Sequence, residues 1–314
     1  MVQRARPRVE CLIGQGAIAE TDPLLLEEMV ALVVEQGLEV IPLSEVRRRL
    51  AAREFSRRFV AFTFDGAYKT TLTSVLPLFR ERGLPFTLFA GADFLDTGRA
   101  PWWLALEALV SQCSRIRAHQ NKAHDLSCGD DAEKRDCYAR LFQEADLLPA
   151  ADRAVHVETL CQQHNVDLGA LAAREMLSGA DLKTLAQDPL IAVGCQGGGI
   201  RPLAELSYDE AKEDLASSLA RLEEVLGERP RHIAYPGALP ANAGAREFSI
   251  AGSLGVETAV TAVEGALWPE HAVELFALPR IALDNDPATL VRALMLSSGA
   301  PFGQRFAVAA KAIA

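Results

Sequence analysis

The sequence lacks a long apolar run, a paired-cysteine motif and an excess of positive charge. No stretch approaches the roughly 18 consecutive apolar residues of a membrane-spanning helix, and none of the six cysteines lies in a C-x-x-C pair. The 42 acidic side chains outnumber the 32 basic ones, and the resulting formal charge of -10 repels phosphate backbones. We therefore expect no membrane span, no nucleic-acid partner and reduced cysteines.

The basic N-terminal stretch is a poor match to a secretory signal. Only residues 9–13 offer an apolar core, and no small-residue cleavage pattern follows them. The sequence thus predicts a cytoplasmic protein.

Strand and helix patterns alternate along most of the chain. In the first hundred residues, a helical period over 23–38 is followed by strand 59–64, helix 69–82 and strand 85–90. The alternation resumes after residue 190, where Ser207 and Glu210 form a capping box and Gly227 ends the predicted helix. Six to eight strands separated by helices predict an α/β fold with parallel strands. A closed barrel fits that number better than a short open sheet, and a doubly wound fold stays as the alternative.

Helical patterns without intervening strands occupy the middle of the chain. We interpret residues 101–190 as an inserted helical subdomain, residues 1–100 as the first part of the barrel, and residues 191–314 as its remainder with a C-terminal helix. The insertion contains cysteines and histidines whose spacings match none of the usual structural-zinc patterns. They are Cys113, His119, His124, Cys128 and Cys137.

Three stretches follow predicted strands, at the strand ends where parallel α/β proteins gather their functional groups. They are TFDGAY at 63–68, VGCQGGGI at 193–200 and AYPGA at 234–238. The second stretch has three consecutive glycines, which either open a pocket or let the backbone approach a ligand closely.

In this order, the three stretches resemble the motifs of the polysaccharide deacetylase family, also called the NodB-homology domain or carbohydrate esterase family 4. The family motifs are TFDDGY, two histidines at i and i+4, and R/A-x-P-Y-G. The resemblance extends from about residue 55 to residue 285. Stretches such as LPLFRERGLPFTLFAG and AREFSIAGSLGVETAVTA look like the cytoplasmic bacterial branch of this family. The resemblance implies a distorted (β/α) barrel carrying a helical insertion. It also implies a divalent metal, such as zinc or cobalt, held by one aspartate and two histidines.

The sequence departs from the family at the metal ligands. Asp65 matches the general base, but Gly66 replaces the metal-binding aspartate, and the two histidines fall on Gln196 and Ile200. The tyrosine of the third motif, whose backbone N–H supports the oxyanion, falls on Gly237. Glycine and isoleucine side chains offer no lone pair and glutamine is a weak ligand, so we expect no metal at this site and no cofactor.

The resemblance nevertheless implies a set of binding positions around the strand ends. The candidate substrate-binding residues are Tyr68, Gln196, Gly197, Gly198, Tyr235, Pro236, Gly237 and Arg280. For Asp65, a surviving base and a structural or ligand-binding carboxylate are both open. Arg280 and Asp284 either bind a polar ligand or form a salt bridge. Cys195 is interpreted as a small buried side chain rather than a nucleophile, and Trp102 and Trp103 as packing residues.

Three functional hypotheses follow. In the leading one, the chain is a deacetylase homologue without catalysis that binds a carbohydrate, a nucleotide-sugar-like ligand or a polysaccharide-biosynthesis protein in bacterial surface-polysaccharide metabolism. In the second, it is an active deacetylase that works without the family metal. In the third, it is a structural partner of an active deacetylase or glycosyltransferase.

Overall fold

The computed structural model describes residues 1–7, 20–119, 123–199, 201–237, 240–285 and 289–297. Of the side chains in these ranges, those of residues 119, 123, 124, 150, 151 and 294–297 are left out of the description. Two positions singled out from the sequence, Ile200 and Ala238, lie outside the described residues.

Strands and helices alternate as the sequence predicts. The strands are β1 (Arg4–Ala5), β2 (Glu20–Thr21), β3 (Glu39–Val40), β4 (Phe59–Val60), β5 (Phe62–Asp65), β6 (Phe86–Ala90), β7 (Arg115–His119), β8 (Ala123–Ser127), β9 (Ile191–Cys195), β10 (His232–Ala234), β11 (Thr258–Glu264) and β12 (Leu278–Arg280). The α-helices are α1 (Pro23–Glu35), α2 (Leu43–Ala52), α3 (Leu76–Glu81), α4 (Trp102–Gln112), α5 (Asp131–Asp146), α6 (Ala150–Gln163), α7 (Leu168–Glu175), α8 (Gly179–Ala186), α9 (Tyr208–Leu226), α10 (Ala245–Ser253) and α11 (Thr289–Ser297).

The centre of the molecule is a six-stranded sheet in the order β12-β11-β10-β9-β6-β5. All of its pairs are parallel, and β6 aligns with both neighbours along its length. Every residue of β5 and β6 is buried, as expected for strands covered on both faces. Since all six strands point the same way, their C-terminal ends meet at one edge.

The first residues of the chain connect the two ends of this sheet. Val2 N donates to Thr63 O at 2.9 Å, Asp65 N donates to Val2 O at 2.8 Å, and Leu283 N donates to Met1 O at 2.9 Å. The segment therefore lies between β5 and the residues that follow β12. The sheet curls into a half-barrel whose outer strands face each other.

Local sequence explains the best-defined helix. Ser207 accepts from Glu210 N, the Glu210 side chain accepts from Ser207 N, and Gly227 ends α9 in the left-handed conformation at φ +83°. The capping box and the terminating glycine are thus confirmed.

The inserted unit has its own hydrophobic core, built from α4 to α7 and from an antiparallel hairpin of β7 and β8. The hairpin occupies a polar stretch in which the sequence indicated only a break between helices. Leu182 and Leu185 of α8 belong instead to the core around the central sheet, so in packing terms the inserted unit ends near Met176.

The inserted unit lies against the C-terminal end of β5. Lys69 N donates to Glu175 O at 2.8 Å, and Leu177 N donates to Ala67 O at 2.7 Å. The unit thus contacts the residues that directly follow β5. Among the described helices, none is both long and apolar enough to cross a membrane.

Candidate functional site

Asp65 and Arg280 meet at the ends of the two outermost strands of the central sheet. The guanidinium donates from Nη1 to Oδ1 at 2.6 Å and from Nη2 to Oδ2 at 2.7 Å. Arg280 Nε also donates to Thr261 O at 2.8 Å, and Nη1 to Thr63 Oγ1 at 3.3 Å. Asp65 is 4% exposed and Arg280 9% exposed. The carboxylate is therefore held on both oxygens in a buried, bidentate pair.

Position 66 has no space for a side chain beside the aromatic ring of Tyr68. Gly66 adopts φ +82°, and a Cβ added there would lie 2.5 Å from Tyr68 Cε2. The Tyr68 hydroxyl accepts from Trp103 Nε1 at 3.2 Å, and the Arg4 guanidinium carbon lies 5.6 Å from the ring centroid. Burial raises the pKa of Tyr68 to about 12. The ring is fixed where a carboxylate at position 66 would project.

Arg4 belongs to a buried ionic cluster that the sequence analysis missed. Arg4 Nη2 lies 2.6 Å from Glu175 Oε2, and Glu20 and Glu107 complete the cluster with Arg6. It connects the start of the chain to α4 and α7 of the inserted unit. The partners are up to 171 residues apart in the sequence, so no local pattern marks them.

The glycine loop after β9 packs against the loop after β6. Ala92 N donates to Gly197 O at 2.9 Å, and Asp93 N donates to Gly198 O at 3.2 Å. A Cβ added at Gly199 would lie 3.1 Å from Gly91 Cα, and one at Gly198 would lie 2.7 Å from Asp93 Oδ2. The three glycines thus permit close approach to a neighbouring loop of the same chain.

Two carboxylates flank this loop, and sequence analysis did not single them out. Asp214 of α9 accepts from Gly198 N at 2.8 Å, and a Cβ added at the same glycine would lie 2.7 Å from Asp93 Oδ2. Burial raises the pKa of both groups, and the Asp93 charge raises the pKa of Asp214 further, against the lowering effect of the Gly198 hydrogen bond. The helical period of α9 places Asp214 on the same face as the apolar residues that pack against the core. A carboxylate on that face was the sequence feature that could have identified it.

The third motif forms a tight turn after β10. Tyr235 is buried, and its hydroxyl donates to Phe276 O at 2.8 Å. Pro236 packs beside the glycine loop, since a Cβ added at Gly197 would lie 3.2 Å from its ring. Gly237 adopts φ +97°, and a Cβ there would lie 2.0 Å from Asn242 Nδ2. This turn therefore requires glycine where the family motif has tyrosine.

The predicted substrate-binding residues thus fall into two groups. Gln196, Gly197, Gly198, Pro236 and Gly237 lie on neighbouring loops at the strand ends. Tyr68, Tyr235 and Arg280 are buried and hydrogen-bonded within the protein. Substrate binding by these residues stays a prediction.

The residues at the family metal positions do not fit a divalent metal. Gly66 offers no side-chain donor and faces Tyr68, while the half-buried Gln196 supplies one neutral amide. Among the described residues, no group of three or more histidine, cysteine or acidic side chains is arranged to hold a metal. In the insertion, the backbones of His119 and His124 lie on the paired strands of the hairpin, and their side chains are outside the description.

The structure also shows the surroundings of the other residues whose roles were considered from the sequence. Cys195 is fully buried, and burial raises the pKa of its thiol to about 12. Because only the thiolate is a nucleophile, these surroundings favour packing over a catalytic role. Arg280 pairs with Asp65, whereas Asp284 contacts Arg292 at 3.2 Å. Trp102 and Trp103 pack in the inserted unit, as predicted.

The fold of this chain was compared with those of known proteins. No family model matches the sequence, and no curated protein matches it. The architecture, however, is that of solved deacetylases. The deacetylase PplD of Streptococcus pyogenes superposes with a TM-score of 0.57 at 15% identity, covering 94% of each chain. IcaB of Ammonifex degensii gives 0.56 at 14% identity and 94% coverage of each chain. The BpsB deacetylase domain of Bordetella bronchiseptica gives 0.52 at 16% identity and 90% coverage of each. The chain shares their fold.

Proposed function

We propose that this protein is a deacetylase-fold carbohydrate-binding protein that has lost metal-dependent hydrolysis and acts in bacterial surface-polysaccharide metabolism. Its fold in this proposal is the distorted barrel of the NodB-homology type, and its location is the cytoplasm. The proposal is supported most directly by two contacts made in the first motif, at residues 63–68. Arg280 binds both oxygens of Asp65, and Tyr68 lies where a metal-binding carboxylate at position 66 would project.

In this proposal, these contacts account for the loss of metal-dependent hydrolysis. Amide hydrolysis by this family needs a cation that polarises the carbonyl and activates water. With Gly66 and Gln196 at two ligand positions, the chain supplies no acidic or imidazole donor there. The Asp65 carboxylate is also nearly fully buried, and both of its oxygens accept hydrogen bonds from Arg280.

Carbohydrate binding is supported by what remains at the strand ends. The glycine loop and the turn at 235–237 bring the half-buried Gln196 and the exposed Gly237 to one edge of the sheet. Backbone amides and neutral side-chain amides are groups that hydrogen-bond sugar hydroxyls. The fold shared with PplD, IcaB and BpsB makes an acetylated amino-sugar polymer the ligand to test first.

Glycan-array binding with purified protein, combined with acetate-release assays, tests the proposal. We expect binding of acetylated chito-oligosaccharides without acetate release. Gln196→Ala should weaken binding about three-fold to ten-fold, as for loss of one hydrogen bond. Gln162→Ala on the exposed side of α6 is the matched control and should leave binding unchanged.

The same assays separate the alternatives. Chelator-insensitive acetate release that Asp65→Asn abolishes would establish the enzyme without the family metal. Absence of glycan binding together with capture of a deacetylase or glycosyltransferase would favour the structural partner.

A further inference from the structure

A cavity of about 490 Å³ lies where the two outer strands of the sheet face each other. One wall is formed by residues 59–63 of β4 and β5, and the opposite wall by residues 278–281 at β12. Side chains of α1 and α2 and the loop at 265–269 complete it. The cavity thus lies between the two outer strands, and Met1 and Arg280 are part of its lining.

The lining is apolar along most of its surface. Leu43, Val46, Phe62, Val260 and Leu278 face the space, together with the half-buried Trp268. Carbohydrate sites need several polar groups aimed at hydroxyls, and this lining offers few. Its size falls within the roughly 300–1,000 Å³ of small-molecule pockets. Burial of hydrocarbon is therefore the interaction that this cavity provides best.

Every charged residue among the described lining side chains is an arginine. Arg280 at the inner end is committed to Asp65, whereas Arg57 and Arg58 are exposed. Within the described part of the chain, the side chains of Arg57 and Arg58 make no ion pair or hydrogen bond.

We propose that the cavity binds an amphipathic anion, with an alkyl or acyl chain inside and a carboxylate or phosphate head at Arg57 and Arg58. The apolar walls match the chain, and the two free guanidinium groups match the head. The described cavity lining contains none of residues 196–198 or 235–237, so this proposal goes beyond the proposed carbohydrate function and does not depend on it.

Titration calorimetry with the full-length protein tests this proposal. The probes are dodecyl phosphate and dodecanoate, each below its critical micelle concentration, and the uncharged dodecanol below its solubility limit, with inorganic phosphate as the head group alone. We expect one saturable site for both anions, binding of dodecanol at least about ten-fold weaker, and no measurable binding of inorganic phosphate. The tighter of the two anions identifies the head group.

Chain length distinguishes an enclosed site from surface adsorption. Affinity should rise about four-fold per methylene from hexyl to decyl phosphate, as expected for burial of hydrocarbon. It should level off once the cavity is filled.

Variants locate the ligand. Ala61→Trp fills the cavity from a half-buried position and should weaken all probes at least about ten-fold. Ala266→Phe fills it from the opposite wall and replaces the first variant if that one fails to fold. Arg57→Gln/Arg58→Gln should weaken both anions about ten-fold and leave dodecanol unchanged. Arg47→Gln/Arg135→Gln, at exposed positions outside the lining, removes the same charge and should behave as wild type.

Three results would overturn the proposal. They are the absence of saturable binding of any alkyl anion, equal affinity for dodecanol and dodecyl phosphate, and unchanged affinity in folded Ala61→Trp and Ala266→Phe.

Discussion

Arg280 and Asp65 are 215 residues apart in the sequence, yet they form a bidentate pair between the last and first strands of the central sheet. The pair lies where the resemblance to deacetylases places the general base. Here the carboxylate instead connects the two outer strands. The residue type at position 65 is therefore retained while its surroundings favour a structural role.

Breaking this pair from one side should destabilise the fold strongly. Arg280→Met leaves the Asp65 carboxylate buried without its partner, and we expect the free energy of unfolding to fall by about 3 to 5 kcal/mol. The double variant Asp65→Asn/Arg280→Met removes the charge as well and should cost less than the sum of the single variants. Urea unfolding of all four proteins gives the coupling energy. A coupling below about 0.5 kcal/mol would contradict a structural role for the pair.

Gly66 should tolerate substitution worse than another glycine of similar backbone conformation. Gly83 has φ +63° with open space around it, so Gly83→Ala should cost only about 1 to 2 kcal/mol of backbone strain. Gly66→Ala adds a contact with Tyr68 Cε2 and should cost about 1 to 3 kcal/mol more. Thermal and urea unfolding measure the difference. Equal losses at the two positions would show that Tyr68 moves aside freely.

Rebuilding the family metal site should require space as well as ligands. Gly66→Asp/Gln196→His/Ile200→His supplies the three ligands, but Tyr68 occupies the space next to position 66. We expect weak zinc binding by this variant and at least about ten-fold tighter binding once Tyr68→Ala is added, because the aspartate can then project towards the histidines. Calorimetric zinc titration checks this order, with Gln196→His/Ile200→His as the two-ligand control. Tight binding by the triple variant with Tyr68 intact would contradict the steric argument.

Elements that depend on neighbouring residues were predictable from the sequence. The capping box and Gly227 define α9, and the runs of β-prone apolar residues define β5 and β6.

Contacts between distant segments were not predictable in the same way. The sequence left the partner of Arg280 open, because nothing local favours Asp65 over Asp284. The need for glycine at 198 depends on the loop carrying Asp93, which is more than one hundred residues earlier in the chain. The hairpin of β7 and β8 was missed because its apolar alternation is short: Ile116 and Ala118 are the two apolar residues of β7, and they lie within a polar stretch.

His232 should make the stability of the protein sensitive to acid. Its ring is 2% exposed on β10, with Nδ1 2.9 Å from Thr258 Oγ1. Burial, aided by the charge of Arg231, lowers the pKa of His232 to about 4. In the unfolded chain the pKa is about 6.5, so between these two values the unfolded state binds more protons than the folded one. The effect of His232 on the free energy of unfolding is therefore absent above about pH 7. As the pH drops from about 6.5 to 4, protonation of this histidine in the unfolded chain lowers the free energy of unfolding by up to about 3 kcal/mol.

Urea unfolding at pH 7.5 and pH 4.5 isolates this contribution. His232→Gln cannot take up the proton, so its loss of stability between the two pH values should be smaller than that of the wild type by about 2 to 3 kcal/mol. His164→Gln, at a half-buried position on the surface of the inserted unit, is the control and should keep the wild-type pH dependence. If His232→Gln instead loses as much stability as the wild type, groups other than this buried imidazole govern the acid sensitivity.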